Sequence, residues 1–349
     1  MNAILIPAYK PDMKLVELCD KLLRHDDLKL VVVDDGSGEE FKSVFGALDE
    51  RVKLISYPVN KGKGGALKTG IKYIYDNLPE CERLVTADAD GQHRYEDIQK
   101  VIQKSIECPG TLVLGSRRFD ETNVPFRSRF GNGMTRFVFH LASGVKVYDT
   151  QTGLRGFDRP LMEAFSEVKG DRYEFEMNML LVAASRKIPI IEVTIKTVYL
   201  DENESSHFNP LKDSLKIYYC LLKYFIKFMA SSLFAFFVEY ITLLLFNHFL
   251  ILPGHWPLEV ANVVARVISG TVNFTINHSL VFKSHEKVWK AFLKYVALAV
   301  VIILIDTYVL KFFIELCGVK LWIAKPITEI ILFCINYPIQ KRFVYKTKE

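Results

Sequence analysis

The chain has 349 residues, of which 50% are hydrophobic and 24% charged, and a formal net charge of +5 at pH 7. Its length allows two domains, and the modest positive excess, much of it beside apolar segments, is not the basic surface of a nucleic-acid-binding protein. Six cysteines without CxxC spacing indicate neither a zinc site nor a disulfide framework.

The composition changes sharply along the chain. Up to about Asp213 it is that of a soluble α/β protein, and beyond that point Phe, Leu, Ile and Val dominate. The change predicts a soluble domain over residues 1–209, an amphipathic interfacial helix over residues 210–228, and a transmembrane domain over residues 229–349.

Four short apolar runs in the first domain predict β-strands, and a polar cluster follows each of them. The runs cover residues 3–9, 28–37, 52–57 and 84–88, with helical segments between them. Strands that alternate with helices form parallel sheets, and open sheets of this kind bind nucleotides at their carboxyl edge. The polar clusters therefore predict a nucleotide site at that edge.

The third strand leads into a glycine-rich segment, residues 60–66, with the sequence Asn-Lys-Gly-Lys-Gly-Gly-Ala. Such a turn before a helix lets backbone N–H groups approach a phosphate. Glycines in this position also serve simply to begin a helix, and the segment alone does not decide between the two interpretations.

The fourth strand stops at a carboxylate pair, Asp88 and Asp90, with Gln92 two residues further on. Alternate residues of an extended chain point the same way, so the three side chains can face one point. Oxygen ligands with room for phosphate oxygens and water are typical of Mg²⁺ or Mn²⁺ sites. The pattern predicts such a site, and its alternative is a surface turn rich in Asp and Gly.

Residues 210–228 interleave lysines with aromatic side chains, as interfacial helices do. Lys212, Lys216, Lys223 and Lys227 would meet anionic headgroups while the rings lie in the headgroup layer. We expect this segment to hold the soluble domain at the membrane surface.

Four apolar stretches are long enough to cross a bilayer, which takes about 20 residues. They lie near residues 229–252, 259–281, 293–316 and 322–340. The loop after the first stretch lacks Lys and Arg, whereas the next loop and the C-terminus are rich in them. By the positive-inside rule, we expect four spans with the soluble domain and both termini on the cytoplasmic side.

The apolar half also repeats itself, since residues 223–230 align with 290–297 and residues 273–276 with 336–339. Each unit contains two predicted helices, which return the chain to its starting side, so the two repeats are parallel. Glu239 and Asp306 are equivalent in this alignment. Polar residues within spans line a headgroup path or fix the bundle by hydrogen bonds, and both interpretations are kept.

The polar clusters, in their order and spacing, resemble the nucleotide-sugar domain of family-2 glycosyltransferases. The segments that carry the resemblance are residues 7–9, 34–37, 60–66 and 88–92. Residues 115–117 and 127–129 further resemble the polyprenyl-phosphate subfamily, which contains dolichol-phosphate mannosyltransferases and undecaprenyl-phosphate glucosyltransferases. The resemblance implies an α/β GT-A (Rossmann-like) domain, and the apolar half resembles GtrA-like membrane domains of four helices.

The resemblance also implies roles by position. Asp34 or Asp35 would bind the base, and which of them does so is left open. Asp88, Asp90 and Gln92 would hold Mg²⁺ or Mn²⁺ on the diphosphate. The residues implied for the nucleotide-sugar are Pro7, Ala8, Tyr9, Asp34, Asp35, Lys61, Gly62 and Asp88.

Arginine is the residue that the resemblance implies for the acceptor phosphate. Arg117 and Arg129 would grip it in their forked geometry, and Arg127 is the less favoured substitute. Ser128 and His207 are also implied near the phosphates. His207 stands where mannosyltransferase relatives often carry a basic residue, and its alternative is an ordinary loop histidine.

Taken together, the resemblances imply an inverting, metal-dependent glycosyltransferase. It would move a hexose from a donor of the UDP-glucose or GDP-mannose class to a polyprenyl or dolichyl phosphate. A phosphate monoester is already an anion, so no strong general base is needed. The alternatives are a membrane flippase or scaffold for lipid-linked sugars, and a processive glycan synthase, whose usual Gln-x-x-Arg-Trp motif is absent. The sugar, the base, the lipid length and a homo-oligomeric state are left open.

Overall fold

The computed structural model describes residues 1–24, 28–117, 126–196, 212–249 and 258–345, a few of them by their backbone alone. These residues form two compact units, Met1–Leu221 and Leu222–Glu349.

The first unit is built on a seven-stranded mixed sheet with helices between the strands. The strands are β1 (Asn2–Ala8), β2 (Leu28–Asp34), β3 (Lys53–Ser56), β4 (Arg83–Thr86), β5 (Leu112–Arg117), β6 (Arg155–Asp158) and β7 (Ile190–Ile195). The helices are α1 (Lys14–Leu22), α2 (Lys42–Gly46), α3 (Lys63–Asn77), α4 (Tyr95–Glu107), α5 (Phe126–Ser143), α6 (Arg159–Ser166) and α7 (Glu174–Ser185).

The strand order is β3-β2-β1-β4-β6-β5-β7. Every neighbouring pair is parallel except those of β6, which runs antiparallel to both β4 and β5. The α/β GT-A class predicted from the sequence is confirmed. The antiparallel strand was not predicted, because β6 is only four residues long and reads Arg-Gly-Phe-Asp.

The centre of the sheet is buried because β1 and β2 are continuous apolar runs, as strands covered on both faces are. All seven residues of β1 are buried. Helix α1 turns Leu15, Leu18 and Leu22 into the core at helical spacing. Helix α3 packs closely on β1, since a Cβ at Gly70 would lie 2.1 Å from the Leu5 side chain. This packing brings the N-terminus of α3 to the carboxyl edge of the sheet.

Four long helices follow the sheet domain in the described residues: α8 (Lys212–Phe249), α9 (Leu258–Ile276), α10 (Val288–Lys311) and α11 (Leu321–Ile339). A π-helical turn continues each of the last three, at Asn277–Val281, Phe312–Leu316 and Gln340–Val344. Among the residues that the structure describes, two helices, Lys212–Phe246 and Val288–Leu316, are long and apolar enough to cross a membrane.

Helix α8 runs across the boundary between two segments predicted from the sequence. The interfacial segment (residues 210–228) and the first span (residues 229–252) were expected as separate elements, yet residues 212–249 form one helix. The change from lysine-rich to apolar composition alters which side chains face water or lipid. It does not interrupt the helix, because residues 212–249 contain no proline that would remove a backbone hydrogen bond.

The second unit is held together by aromatic rings and a small polar network. The rings of Phe282 and Tyr345 stack with centroids 4.9 Å apart and planes at 16°. Ser231 donates a hydrogen bond of 2.6 Å to Asn277, whose amide donates one of 2.7 Å to Asn273. These contacts join α8 to the end of α9.

One ion pair lies deep in the apolar sequence of the second unit. Glu239 of α8 is 3.4 Å from Arg266 of α9 and accepts a hydrogen bond of 3.0 Å from Ser269. Ionisable groups in such a setting are expected to pair with one another, and Glu239 does so.

Candidate active site

A cavity of about 420 Å³ opens at the carboxyl edge of β1, β2 and β4. All four predicted clusters contribute to its lining. Pro7, Ala8 and Tyr9 come from the end of β1, Asp35 follows β2, and Asp88, Ala89 and Asp90 follow β4. The remaining walls come from the start of α3 and from the segment before α7, with Asn60, Gly62, Lys63, Ala66, Arg172 and Tyr173.

Asp35 is a buried carboxylate that organises the turn before α3. It accepts hydrogen bonds from the backbone N–H groups of Lys61 and Gly62, both at 2.8 Å, and from the Asn60 side chain at 3.0 Å. Its neighbour Asp34 accepts a hydrogen bond of 2.9 Å from the Ser37 N–H. Both carboxylates of the predicted pair therefore bind backbone N–H groups, Asp34 within its own turn and Asp35 in the turn before α3.

The glycines of this turn are required by close packing. A Cβ at Gly62 would lie 2.4 Å from the Asp171 carbonyl oxygen, and one at Gly64 would lie 2.5 Å from the Phe175 Cβ. The N–H of Gly65 donates to the same Asp171 oxygen at 2.9 Å. The glycine-rich segment thus lets residues 171–175 approach α3, and the N–H groups of Lys61, Gly62 and Gly65 are already used.

Asp88 stands at the centre of the charged groups of the cavity. The Lys63 ammonium lies 2.6 Å from Asp88 Oδ1 and 3.2 Å from Glu176 Oε1. Gly153 packs against the same carboxylate, because a Cβ there would lie 2.5 Å from Oδ2. Burial by itself would raise the pKa of Asp88, but Lys63, His93 and Arg117 together outweigh it and lower the pKa to about 2.

Asp90 lies on a tight turn beside Asp88. Its Oδ1 accepts a hydrogen bond of 2.9 Å from the Gln92 N–H, and the Asp88 N–H donates one of 2.9 Å to His93 Nδ1. Burial, and then the negative charge of Asp88, raise the pKa of Asp90. A second carboxylate held this close to the first favours a cation between them.

The donor set suits a hard divalent cation. Asp88 and Asp90 both line the cavity and offer only oxygen. Within the described residues no group of three or more His, Cys, Asp or Glu side chains could hold a metal ion. A cation here would therefore need phosphate oxygens or water to complete its shell, which is the way Mg²⁺ is commonly bound.

Of the predicted arginines, Arg117 and Arg129 lie outside the cavity lining. Arg117, at the end of β5, donates to Asp149 through Nε at 2.7 Å and Nη2 at 3.1 Å. Arg129 is exposed on α5. Arg127 and Ser128 lie on the same helix, but their side chains, like the whole of His207, fall outside the described structure.

Three charged residues of the site were given no role from the sequence. They are Lys63, Arg172 and Arg155, and Arg155 is almost wholly buried. Its Nη1 donates to the Glu176 carbonyl at 2.6 Å and its Nε to the Thr152 carbonyl at 3.0 Å, while burial lowers its pKa. In the sequence, a single arginine stands close to the apolar residues Leu154 and Phe157. This pattern could have indicated that Arg155 is buried.

Comparison with known proteins matched both halves of the chain. Residues 3–166 match the model of glycosyl transferase family 2, and residues 227–345 that of the GtrA/DPMS transmembrane domain. The UDP-N-acetylglucosamine–dolichyl-phosphate N-acetylglucosaminyltransferase of Methanococcus voltae is 33% identical, over 63% of this chain and 94% of that protein. Human dolichyl-phosphate β-glucosyltransferase is 26% identical, over 55% of this chain and 66% of that protein.

Among solved structures, glucosyl-3-phosphoglycerate synthase from Mycobacterium tuberculosis, in complex with Mn²⁺, UDP and phosphoglyceric acid, is 17% identical with a TM-score of 0.48. The alignment covers 64% of this chain and 78% of that one. The transmembrane-domain match, together with the two long apolar helices, indicates a membrane protein.

Proposed function

Because this chain belongs to the family-2 glycosyltransferases and carries a GtrA/DPMS transmembrane domain, we propose that it transfers a sugar from a nucleotide-sugar to a polyprenyl or dolichyl phosphate. The observation that carries the proposal is the cavity at the carboxyl edge of the sheet, where Asp35, Asp88 and Asp90 meet. The two named relatives add support, since the names of both contain dolichyl phosphate.

The reaction is a single displacement at the anomeric carbon. An oxygen of the acceptor phosphate attacks that carbon, and the bond to the diphosphate oxygen breaks as the nucleoside diphosphate leaves with the electron pair. The attacking oxygen is already an anion, so no proton has to be removed, and the configuration inverts. The two anionic reactants must be held together, and this is the main task of the protein.

Residues of the cavity share that task. Pro7, Ala8 and Tyr9 pack the nucleotide, while Asp88 and Asp90, with Gln92, would hold Mg²⁺ or Mn²⁺. A divalent cation there would supply positive charge for the departing diphosphate.

The acceptor side is assigned to Arg117 and Arg129, with Arg127 as the substitute. Asp149 fixes the guanidinium of Arg117 through two nitrogens, and the side chain remains 27% exposed. Such an oriented fork is suited to a phosphate. Ser128 and His207 remain proposed neighbours of the phosphates.

The membrane arrangement completes the proposal. We propose four spans over residues 229–349, two parallel repeats of two helices, and a catalytic domain and termini on the cytoplasmic side. Residues 210–228 would lie at the headgroups. The donor is a UDP- or GDP-sugar, and the name of the M. voltae relative adds UDP-N-acetylglucosamine to the hexoses expected from the sequence.

A lipid-product assay tests the proposal. Purified full-length protein with Mg²⁺ or Mn²⁺ and undecaprenyl or dolichyl phosphate is incubated with a panel of labelled UDP- and GDP-sugars. We expect metal-dependent transfer of one sugar to the lipid phase, lost in Asp90→Ala. Asp76→Ala, which removes an exposed carboxylate on α3, is the matched control.

The outcomes separate the alternatives. Long polymer would indicate a processive synthase. Folded protein that transfers no sugar from any donor would contradict the proposal and favour a flippase or scaffold for lipid-linked sugars.

A further inference from the structure

Two cations line the cavity, Lys63 and Arg172. Lys63 is the first residue of α3, and Arg172 lies just before α7. They are far apart in sequence, but the glycines of the turn allow their segments to touch. A Cβ at Gly62 would lie 2.8 Å from the Arg172 side chain, and one at Gly64 would lie 2.7 Å from its carbonyl oxygen. Close packing thus brings both cations to one cavity.

Each of the two cations forms an ion pair with a buried carboxylate that does not line the cavity. Lys63 contacts Glu176 at 3.2 Å in addition to Asp88, and its side chain keeps 19% of its surface exposed. Arg172 donates through Nε to Asp213 at 3.1 Å. Asp213, in the first turn of α8, is almost wholly buried, whereas the Arg172 side chain is 40% exposed.

Part of the backbone of the turn is not available to a ligand. Three of its N–H groups, those of Lys61, Gly62 and Gly65, donate to Asp35 or to the Asp171 carbonyl. An anionic ligand in the cavity would therefore gain from side-chain cations in addition to a divalent cation at Asp88 and Asp90. Arginine offers a planar fork and lysine a compact point charge, and both are common phosphate ligands.

We propose that Lys63 and Arg172 hold the phosphates of the bound nucleotide, with Asp88, Glu176 and Asp213 keeping the two cations in place. The inference rests on the proposed function in one respect, that the cavity binds a nucleotide-sugar. It assigns the diphosphate to two side chains outside the arginine group at residues 117–129.

The test compares a nucleoside diphosphate with its monophosphate. Binding of UDP and UMP, and in parallel GDP and GMP, to the full chain in detergent is measured by calorimetry at fixed Mn²⁺. We expect the preferred diphosphate to bind about tenfold more weakly to Lys63→Met and to Arg172→Met, the loss of one charge-assisted hydrogen bond. Binding of the monophosphate changes much less, so the ratio of the two affinities falls.

Controls separate phosphate binding from damage to the fold. Lys72→Met and Arg51→Met remove exposed, ion-paired cations outside the cavity and should leave the ratio unchanged. Lys63→Met leaves the carboxylates of Asp88 and Glu176 without their shared cation. The double variant Lys63→Met/Glu176→Gln, which removes one of these two negative charges, is therefore measured with it. Thermal unfolding of each variant shows that it is folded.

Several outcomes overturn the inference. One is an unchanged ratio in folded variants of Lys63 and Arg172, and another is an equal loss for diphosphate and monophosphate, which would make the two cations structural. A wild-type chain that binds neither nucleotide also overturns it. The proposed function fails differently, when the wild-type chain binds a nucleoside diphosphate but forms no lipid product.

Discussion

Arg117 and Asp149 form a two-point ion pair in which the carboxylate is fully buried, with Nε at 2.7 Å and Nη2 at 3.1 Å. Asp149 also accepts the Arg117 N–H at 3.2 Å and the Gln151 N–H at 3.1 Å. One buried side chain thus fixes both the guanidinium and the loop that leads to β6. The pair connects fold stability with the proposed acceptor site.

Replacing Asp149 by Asn should weaken both acceptor binding and fold stability. The amide keeps the shape but loses the charge, so we expect the apparent KM for polyprenyl phosphate to rise about tenfold or more, with the donor KM nearly unchanged. Loss of a charged hydrogen bond should also cost about 2 kcal/mol of stability. Steady-state kinetics and thermal unfolding test this, and a rise confined to the donor KM would contradict the assignment of Arg117.

Asp90→Ala should lower turnover more than about 100-fold, because the bound cation is expected to contribute several kcal/mol to the transition state. Chelation of the wild-type enzyme by EDTA should have the same effect, reversed by Mn²⁺ or Mg²⁺. Turnover of the variant is measured at saturating metal. Activity that survives both treatments would show that Asp88 and Asp90 do not bind a required metal.

The charge of Asp88 should stabilise the fold at all but low pH. Its pKa is lowered from 3.8 to about 2, so its contribution is fully present above about pH 4 and is lost as pH falls through about 2. Thermal unfolding of wild type and Asp88→Asn in EDTA should therefore diverge above about pH 4 and converge near pH 2. In the Lys63→Met background the largest attraction that lowers this pKa is removed, so the divergence caused by Asp88→Asn should shrink. A difference that is constant with pH would contradict this.

Gly64→Ala tests the contact between α3 and residues 171–175. The new methyl group would lie 2.5 Å from the Phe175 Cβ, and overpacking of this kind costs about 1–3 kcal/mol. We expect lower thermal stability and weaker binding of the nucleoside diphosphate. Gly46→Ala in α2, which meets nothing within 4 Å, is the matched control and should be neutral or slightly stabilising. Equal effects of the two substitutions would argue against close packing at Gly64.

Ser231→Ala tests the polar network of the second unit. The variant removes the donor to Asn277 at 2.6 Å, and hydrogen bonds between membrane helices are worth about 1 kcal/mol. We expect a small drop in the melting temperature in detergent without a change in nucleotide binding. Ser232→Ala, at the half-buried neighbouring position, should have less effect. A loss of nucleotide binding would show that the network acts beyond the second unit.

Local patterns predicted the ends of the first, second and fourth strands, and with them Pro7, Tyr9, Asp35, Asp88 and Asp90 at one cavity. They succeeded because the carboxyl ends of neighbouring parallel strands meet at one edge. The packing reason for Gly62 and Gly64 could not be predicted, because the atoms that require a glycine belong to residues 171–175. Pairings between side chains so distant in sequence are fixed by tertiary packing.

The same limit explains the charged contacts. Lys63 and Glu176 lie in segments that a single sequence gives no reason to join, and so do Arg172 and Asp213. The arginines at residues 117–129 were singled out by resemblance, which identifies a segment and not its partners. For Arg117 the partner is Asp149, whose position beside β5 depends on the antiparallel insertion of β6.

The insertion of β6 between β4 and β5 also affects the order in which the domain can fold during synthesis. Strand β5 is synthesised before β6, yet it joins the sheet beside β4 only through β6. If the earlier strands of a nascent chain pair before β6 is made, their sheet β3-β2-β1-β4 ends at an open edge of β4, and such an edge favours pairing with other chains. Gly153 and Asp149 lie just before β6, so the contact of Gly153 with Asp88 and the ion pair of Asp149 with Arg117 become possible with the same short segment of chain.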